Sequence, residues 1–202
     1  MFIYRKEVGK VKIGVLGVQG DIREHANMIE KIGHTPVRVK SIETLNDVAG
    51  LIIPGGESTT ISKLMKKVGL WEELKKKAMN GFPVFGTCAG MIVVSKGIAN
   101  YPQQETMGLI DIYVERNAYG RQVFSFEEIL SFQGKDIKVT FIRAPKIVKY
   151  GENIERLIEF KDAPVLVRQD NILVASFHPE IEDDPSVHQY FIEQMVAKKQ
   201  VK

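Results

Sequence analysis

The sequence predicts an α/β domain built on a wound, mostly parallel sheet. Three observations carry this. Short apolar runs alternate with segments of helical periodicity through the first half of the chain. The runs at residues 11–18, 49–53 and 83–87 are almost continuously apolar, as strands buried on both faces are. Each run also ends in a glycine-containing turn that leads into a helix. In such sheets a ligand site lies beyond the carboxyl ends of the strands.

Taken in order, residues 11–18 form the first strand, broken only by Lys12 and glycines. Gly14, Gly17 and Gly20 are spaced G-x-x-G-x-x-G, not G-x-G-x-x-G, so a dinucleotide site gains little support. Asp21 and Glu24 have the spacing of a capping box. Ile22, Ala26, Ile29 and Gly33 then repeat at helical spacing, and Gly33-His34 ends the helix. His25, on this helix, is expected to be a surface or packing residue. Residues 37–39 and 49–53 are the second and third strands. The third runs into Pro54-Gly55-Gly56-Glu57-Ser58-Thr59-Thr60. A phosphate loop would need Gly-Lys-Ser/Thr, which is absent. Backbone donors in such a turn suit an oxyanion hole. Taken alone, the turn also reads as an ordinary tight strand-to-helix connection.

Ile61, Leu64 and Met65 continue as a helix, and Leu70, Trp71, Leu74 and Ala78 mark another, with Lys75-Lys76-Lys77 as its solvated face. After residue 94 the pattern changes. Residues 110–115, 137–142, 165–167 and 172–177 are strand-like and imply a mixed or antiparallel half. Residues 126–132 are expected as one or two helical turns. Turn signals at Asp162-Ala163-Pro164 and Gln169-Asp170-Asn171 place the last two strands in a hairpin. Asp184-Pro185 opens a terminal helix with proline at its first position, and Val187, Phe191 and Met195 are its apolar stripe.

The 202 residues suit one domain, with residues 1–10 as a peripheral extension and 11–202 as the domain proper. No repeat or low-complexity linker divides them. A net charge of +3, from scattered residues, gives no footprint for nucleic acid. No apolar run approaches the roughly 20 residues of a membrane span. Arg5, Lys6 and Lys10 lie in a start that lacks the apolar core of a signal peptide. One cysteine excludes an intrachain disulfide framework and a cysteine-rich zinc site, and fits a reducing compartment. These features together predict a cytoplasmic protein.

The chemistry concentrates at Pro83-Val84-Phe85-Gly86-Thr87-Cys88-Ala89-Gly90-Met91. G-x-C-x-G has the form of the nucleophile elbow G-x-S-x-G with cysteine in place of serine. A lone cysteine is more often a small buried hydrophobe. A structural cysteine, however, has no need of glycine two residues away on both sides. At the first turn of a helix the dipole favours a thiolate. A cysteine nucleophile needs a base, and the base an orienting group. His178 directly follows the strand that ends in Ala175-Ser176-Phe177, and in extended chain Glu180 projects to the same side. His178-Pro179-Glu180 alone is a weak motif. Paired with a cysteine elbow at another strand end, it reads as catalytic.

Gly-Thr-Cys-Ala-Gly, Pro-Gly-Gly-Glu-Ser-Thr and Phe-His-Pro-Glu resemble the class I, triad-type glutamine amidotransferases. Four further stretches are similar to the glutaminase subunits of the two-component pyridoxal 5'-phosphate synthases. These are Gly14-Val15-Leu16-Gly17-Val18-Gln19-Gly20, Val114-Glu115-Arg116-Asn117, Tyr119-Gly120-Arg121-Gln122 and Phe141-Ile142-Arg143-Ala144-Pro145. The resemblance runs from about Val11 to the end. It implies a three-layer, flavodoxin-like α/β/α fold with a mixed, mainly parallel sheet. It implies Cys88, His178 and Glu180 as the triad, and the N–H groups of Gly56 and Ala89 as the oxyanion hole. It implies Gly56, Glu57, Ser58, Arg116, Ile142 and Arg143 as contacts of L-glutamine. Cations would hold the substrate carboxylate and an acidic group its ammonium. Gln19 would lie at the interface with the synthase subunit, a (β/α)8 barrel with a dodecameric core, which receives the ammonia. No metal or organic cofactor is implied, since pyridoxal phosphate is the product of the complex.

Two departures stand out. Residues 1–10 extend beyond the family's usual start, and Phe124 stands where the family usually has aspartate. Two other readings are a glutaminase of another synthase, such as that of imidazole glycerol phosphate, and a non-enzymatic binding module on the same fold. The Arg116 and Arg143 stretches argue against the first, and a complete triad against the second.

Overall fold

Apolar side chains that alternate between two faces build the central sheet. The computed structural model describes residues 9–118 and 125–197. The Tyr119-Gly120-Arg121-Gln122 stretch, Phe124 and most of the expected extension lie outside these residues. In chain order the elements are β1 (Lys12–Leu16), α1 (Ile22–Lys31), β2 (Thr35–Val39), α2 (Ile42–Asn46), β3 (Leu51–Ile53), α3 (Ser58–Lys67), α4 (Leu70–Met79), β4 (Val84–Thr87), α5 (Ala89–Val94), β5 (Ser95–Ile98), β6 (Ile110–Glu115), β7 (Ser125–Phe132), β8 (Lys135–Ile142), β9 (Lys146–Tyr150), β10 (Glu155–Phe160), β11 (Ala163–Gln169), β12 (Ile172–Ala175) and α6 (Ser186–Phe191), which continues as a π-helical turn over Ile192–Val196.

The main sheet has seven strands in the order β10-β11-β12-β4-β3-β1-β2. Its β12-β4, β4-β3, β3-β1 and β1-β2 pairs are parallel, and the β10-β11 and β11-β12 pairs antiparallel. Val15, Ile52, Phe85 and Leu173 stand in register across four adjacent inner strands. They enter one core, with Ile29 of α1 and Val187 and Phe191 of α6. One residue earlier in each of three strands, Leu51, Val84 and Ile172 enter the opposite core, with Ile61 of α3 and Trp71 and Leu74 of α4. The period of two thus sorts side chains into two apolar layers, which the helices cover. The result is the expected three-layer, flavodoxin-like α/β/α fold with a mixed, mainly parallel sheet. Among the described residues no helix is long and apolar enough to cross a membrane.

Three local expectations are corrected. Residues 126–132 are not helical but belong to β7, which pairs with β8 in an antiparallel hairpin. Phe126 lies opposite Phe141, and the two rings stack at 4.7 Å. That cross-strand contact outweighs the helical propensity of Glu127, Glu128 and Leu130. The Asp21–Glu24 capping box does not form, because Asp21 makes no side-chain cap bond at α1. Pro185 sits one position before the first helical residue, where the Asp184 carboxylate caps the Ser186 N–H at 2.8 Å. The expected hairpin of the last two strands is present as β11-β12.

Candidate active site

Gln19, Gly56, Cys88 and His178 follow β1, β3, β4 and β12, neighbouring parallel strands, so one sheet edge collects residues remote in sequence. Gln19 and Gly56 flank the point where the winding of the sheet reverses, the position that opens a crevice in such folds.

Cys88 joins β4 to α5 with φ 47° and ψ −103°. Such a conformation costs a non-glycine residue about 1–3 kcal/mol and persists only where its surroundings enforce it. Here the Cys88 N–H donates to the Ala175 carbonyl of β12 at 2.9 Å. Gly90 lets α5 lie against β3, since a Cβ there would fall 2.0 Å from the Ile53 carbonyl oxygen. The thiol approaches the Ile142 carbonyl at 3.7 Å.

His178 leaves β12 and donates its N–H to Thr140 of β8 at 2.8 Å, a single bridge that ties the hairpin to the main sheet. Its Nδ1 lies 2.7 Å from Glu180 Oε1 and 3.4 Å from Asp21 Oδ2. Nε2 is the ring nitrogen left for Cys88, which lines the same pocket as His178. Burial works to lower the His178 pKa. Its interactions with Asp21, Cys88 and Glu180 outweigh it and push the imidazole up to about 12. Burial raises the Glu180 carboxyl above its ordinary value, with His178 opposing. His178 holds Asp21 below the usual carboxylate range. A thiol beside an imidazole held by a buried carboxylate can pass its proton to the ring as it attacks.

The capping-box spacing of Asp21 and Glu24 gives the Asp21 carboxylate another use in the sequence, so nothing there marks it as a site residue. His25 is not a surface residue. It is fully buried, with Nε2 3.1 Å from Thr87 Oγ1 and 3.5 Å from Glu180 Oε2. Among the described residues Asp21, His178 and Glu180 form the one cluster with metal-ligand spacing. An imidazolium between two carboxylates has no lone pair to offer a metal.

The remaining predicted residues meet at one pocket of about 320 Å³. Gly56, Glu57, Ser58, Cys88, Ala89, Arg116, Ile142, Arg143 and His178 all line it. That is near the lower end for a small-molecule site and suits one amino acid. A more open groove of about 580 Å³ beside α1 and β2 contains no nucleophile, so the smaller pocket is the better candidate. Glu57 caps α3: its carboxylate accepts the Thr59 and Thr60 N–H groups at 3.2 and 2.7 Å. Burial opposes its ionisation, but the bonds from Thr59 and Thr60 prevail and hold it at about 2. The same carboxylate receives Arg116 Nη2 at 3.2 Å. Arg116 Nη1 donates to Gln104 Oε1 at 2.8 Å, and its guanidinium lies over the Tyr101 ring. Gln104 also accepts the Ser58 hydroxyl at 3.3 Å. Nothing in the sequence pattern singled out Gln104. Gln19 stands behind the pocket, with Oε1 2.9 Å from the Glu57 N–H.

The fold and the thiol elbow define a three-layer α/β protein of the glutamine amidotransferase type. The profile of the SNO glutamine amidotransferase family matches residues 15–197, and the chain belongs to that family. It is 57% identical over 190 residues to "Pyridoxal 5'-phosphate synthase subunit PdxT" of Thermosipho africanus, covering 93% of this chain and 100% of that one. The protein of the same name from Thermotoga maritima is 52% identical, with 91% and 98% covered. A crystal structure described as a glutamine amidotransferase superposes with a TM-score of 0.86 at 46% identity, over 90% of this chain and 97% of that one. PurLQS from Thermotoga maritima, at 16% identity and a TM-score of 0.67, shares the fold over 92% of this chain and 98% of its own.

Proposed function

We propose that Cys88, His178 and Glu180 are the triad with which this chain hydrolyses L-glutamine to L-glutamate and ammonia. The chain is the glutaminase subunit of a pyridoxal 5'-phosphate synthase, and the ammonia goes to the synthase subunit. The observation that carries the triad reading is His178, held by Glu180 at 2.7 Å and lining with Cys88 a pocket sized for an amino acid.

In this reading Cys88 Sγ attacks the side-chain amide carbon of glutamine. The developing oxyanion is held by the N–H groups of Gly56 and Ala89. His178 gives its proton to the leaving nitrogen, and ammonia departs. The imidazole then takes a proton from water, whose oxygen attacks the thioester, and glutamate leaves as the thiolate re-forms. Glu180 orients the ring and stabilises the imidazolium. Arg116 and Arg143 supply positive charge for the substrate carboxylate. Glu57 is engaged with α3 and Arg116, so its part in binding is to fix Arg116 as well as to meet the ammonium. The partner inferred from the family resemblance is a (β/α)8 barrel in a dodecameric core. A working thiolate fits the reducing cytoplasm.

The test combines the full chain with its synthase subunit and follows glutamate release and pyridoxal phosphate formation. Cys88→Ala abolishes glutamine-dependent formation, while added ammonium salt restores it. If glutamine-dependent formation continued with Cys88→Ala, the triad reading would be wrong.

A further inference from the structure

Behind the proposed triad lies a histidine pair that the reaction as written does not use. His25 of α1 and His188 of α6 are both fully buried, and His25 Nδ1 lies 2.8 Å from His188 Nε2. Thr87, whose hydroxyl His25 Nε2 meets, directly precedes Cys88. Two buried polar atoms of this region lack a hydrogen-bond partner: Glu180 Oε2 and His188 Nδ1.

The proton positions follow from these contacts. Burial lowers both rings' pKa values, for His188 to about 3, and for His25 with the help of His188 and His178. Each ring is therefore neutral, with one N–H and one lone pair. A buried N–H without a partner is rarer and costlier than an unused acceptor. The unpartnered His188 Nδ1 is thus the lone pair, and His188 Nε2–H donates to His25 Nδ1. That leaves the His25 proton on Nε2, facing Thr87 Oγ1 and, at 3.5 Å, Glu180 Oε2.

We propose that His188 and His25 form a one-way donor relay that aims an N–H at the second oxygen of Glu180, making His25 a positioning residue for the triad. The inference rests on the triad reading above. Its physical content is that the His25 N–H, 3.5 Å from Oε2, favours the ionised carboxylate in the orientation that faces His178. The titratable groups facing Glu180 among the described residues are His178, Asp21 from the β1–α1 turn and His25 from α1, with His188 of α6 behind His25. Asp21 and burial both favour the protonated carboxyl. The His25 N–H opposes them by stabilising the carboxylate.

The test measures glutamine hydrolysis by the full chain with its synthase subunit, across pH, for the native protein, His25→Leu and His25→Gln. Glutamine places an N–H near the position of Nε2, and leucine supplies none. His25→Leu should lower kcat about tenfold with little change in KM. It should move the acidic limb of kcat/KM up by about one pH unit, because Glu180 protonates more readily. His25→Gln should largely restore both. Nitrogen-15 NMR of the native full chain should show His25 neutral and protonated at Nε2. Native kcat and pH profile in His25→Leu overturn the proposal, as does equal loss in the two variants, which marks a packing role. If His25→Leu does not fold, the tautomer decides, and a proton on Nδ1 overturns the proposal. Cys88→Ala is the control for the triad itself. Hydrolysis that survives it defeats the triad reading, while the tautomer still decides the relay.

Discussion

Gln19 Oε1 accepts a hydrogen bond from the Glu57 N–H at 2.9 Å. The same amide fills the space beside Gly56, where a Cβ would fall 2.5 Å from that oxygen. Gly56 itself has φ +147°, a backbone state that side chains rarely adopt. The turn after β1 is thus strapped to the turn after β3, and the strap ends on the peptide next to a proposed oxyanion donor. A glutaminase that ran freely would release ammonia to solvent, and a strap at Gln19, which the family resemblance implies at the synthase interface, offers a way to prevent this.

The first prediction concerns that strap. The isolated chain is expected to hydrolyse glutamine weakly and the synthase to stimulate it by about a hundredfold or more, the weight of one oxyanion donor. Gln19→Ala should lower the stimulated rate. Steady-state glutamate production with and without saturating synthase checks both, and equal rates would rule out switching.

A second prediction uses the triad as a unit. His178→Asn should approach Cys88→Ala in severity, and Glu180→Gln should cost less. The double variant Cys88→Ala/His178→Asn should be no worse than Cys88→Ala alone. Additive losses in a kinetic double-mutant cycle would contradict a shared mechanism.

The pH dependence of stability gives a third. The folded His178 pKa, about 12, stands above its ordinary value of 6.5. A raised cationic group contributes stability that is fully present below the unfolded value and lost as pH rises towards the folded one. Stability of the native chain should therefore fall between about pH 6.5 and alkaline pH more steeply than that of His178→Asn. Urea denaturation at a series of pH values measures the two slopes. In Cys88→Ala, which removes one of the supporting groups, the His178 pKa should drop, as followed by NMR.

The fourth concerns Arg116. Its guanidinium spans Glu57 and Gln104 with two different nitrogens. Lysine cannot reproduce that fork. Arg116→Lys should raise KM for glutamine by about tenfold and change kcat less. A loss confined to kcat would remove Arg116 from substrate binding.

The elements nearest the site were the most legible in the sequence. β1, β3 and β4 are buried on both faces, so their apolar runs stand out, and glycine punctuates their ends. β7 misled because Glu127, Glu128 and Leu130 suit a helix, while the contact that decides it, Phe126 on Phe141, crosses to another strand. β5, β9 and β10 carry interspersed charges and few apolar residues, and α2 is only five residues long, so no periodicity could mark them. At the site, Cys88, His178 and Glu180 could be named because short motifs surround them. Asp21, Gln104 and His25 could not. Each acts through a partner far along the chain, and only folding sets those distances.

The insertion of β12 between β4 and β11 has a consequence for biosynthesis. The ribosome makes Cys88 long before His178, which follows 90 residues later. At about 5–20 residues per second, a nascent chain carries its thiol for several seconds without the imidazole proposed as its base. During that time β4 also lacks its neighbour on one side and presents a bare strand edge. Translation order therefore makes the meeting of Cys88 and His178 a late event in folding, and the same closing step covers the open edge of β4.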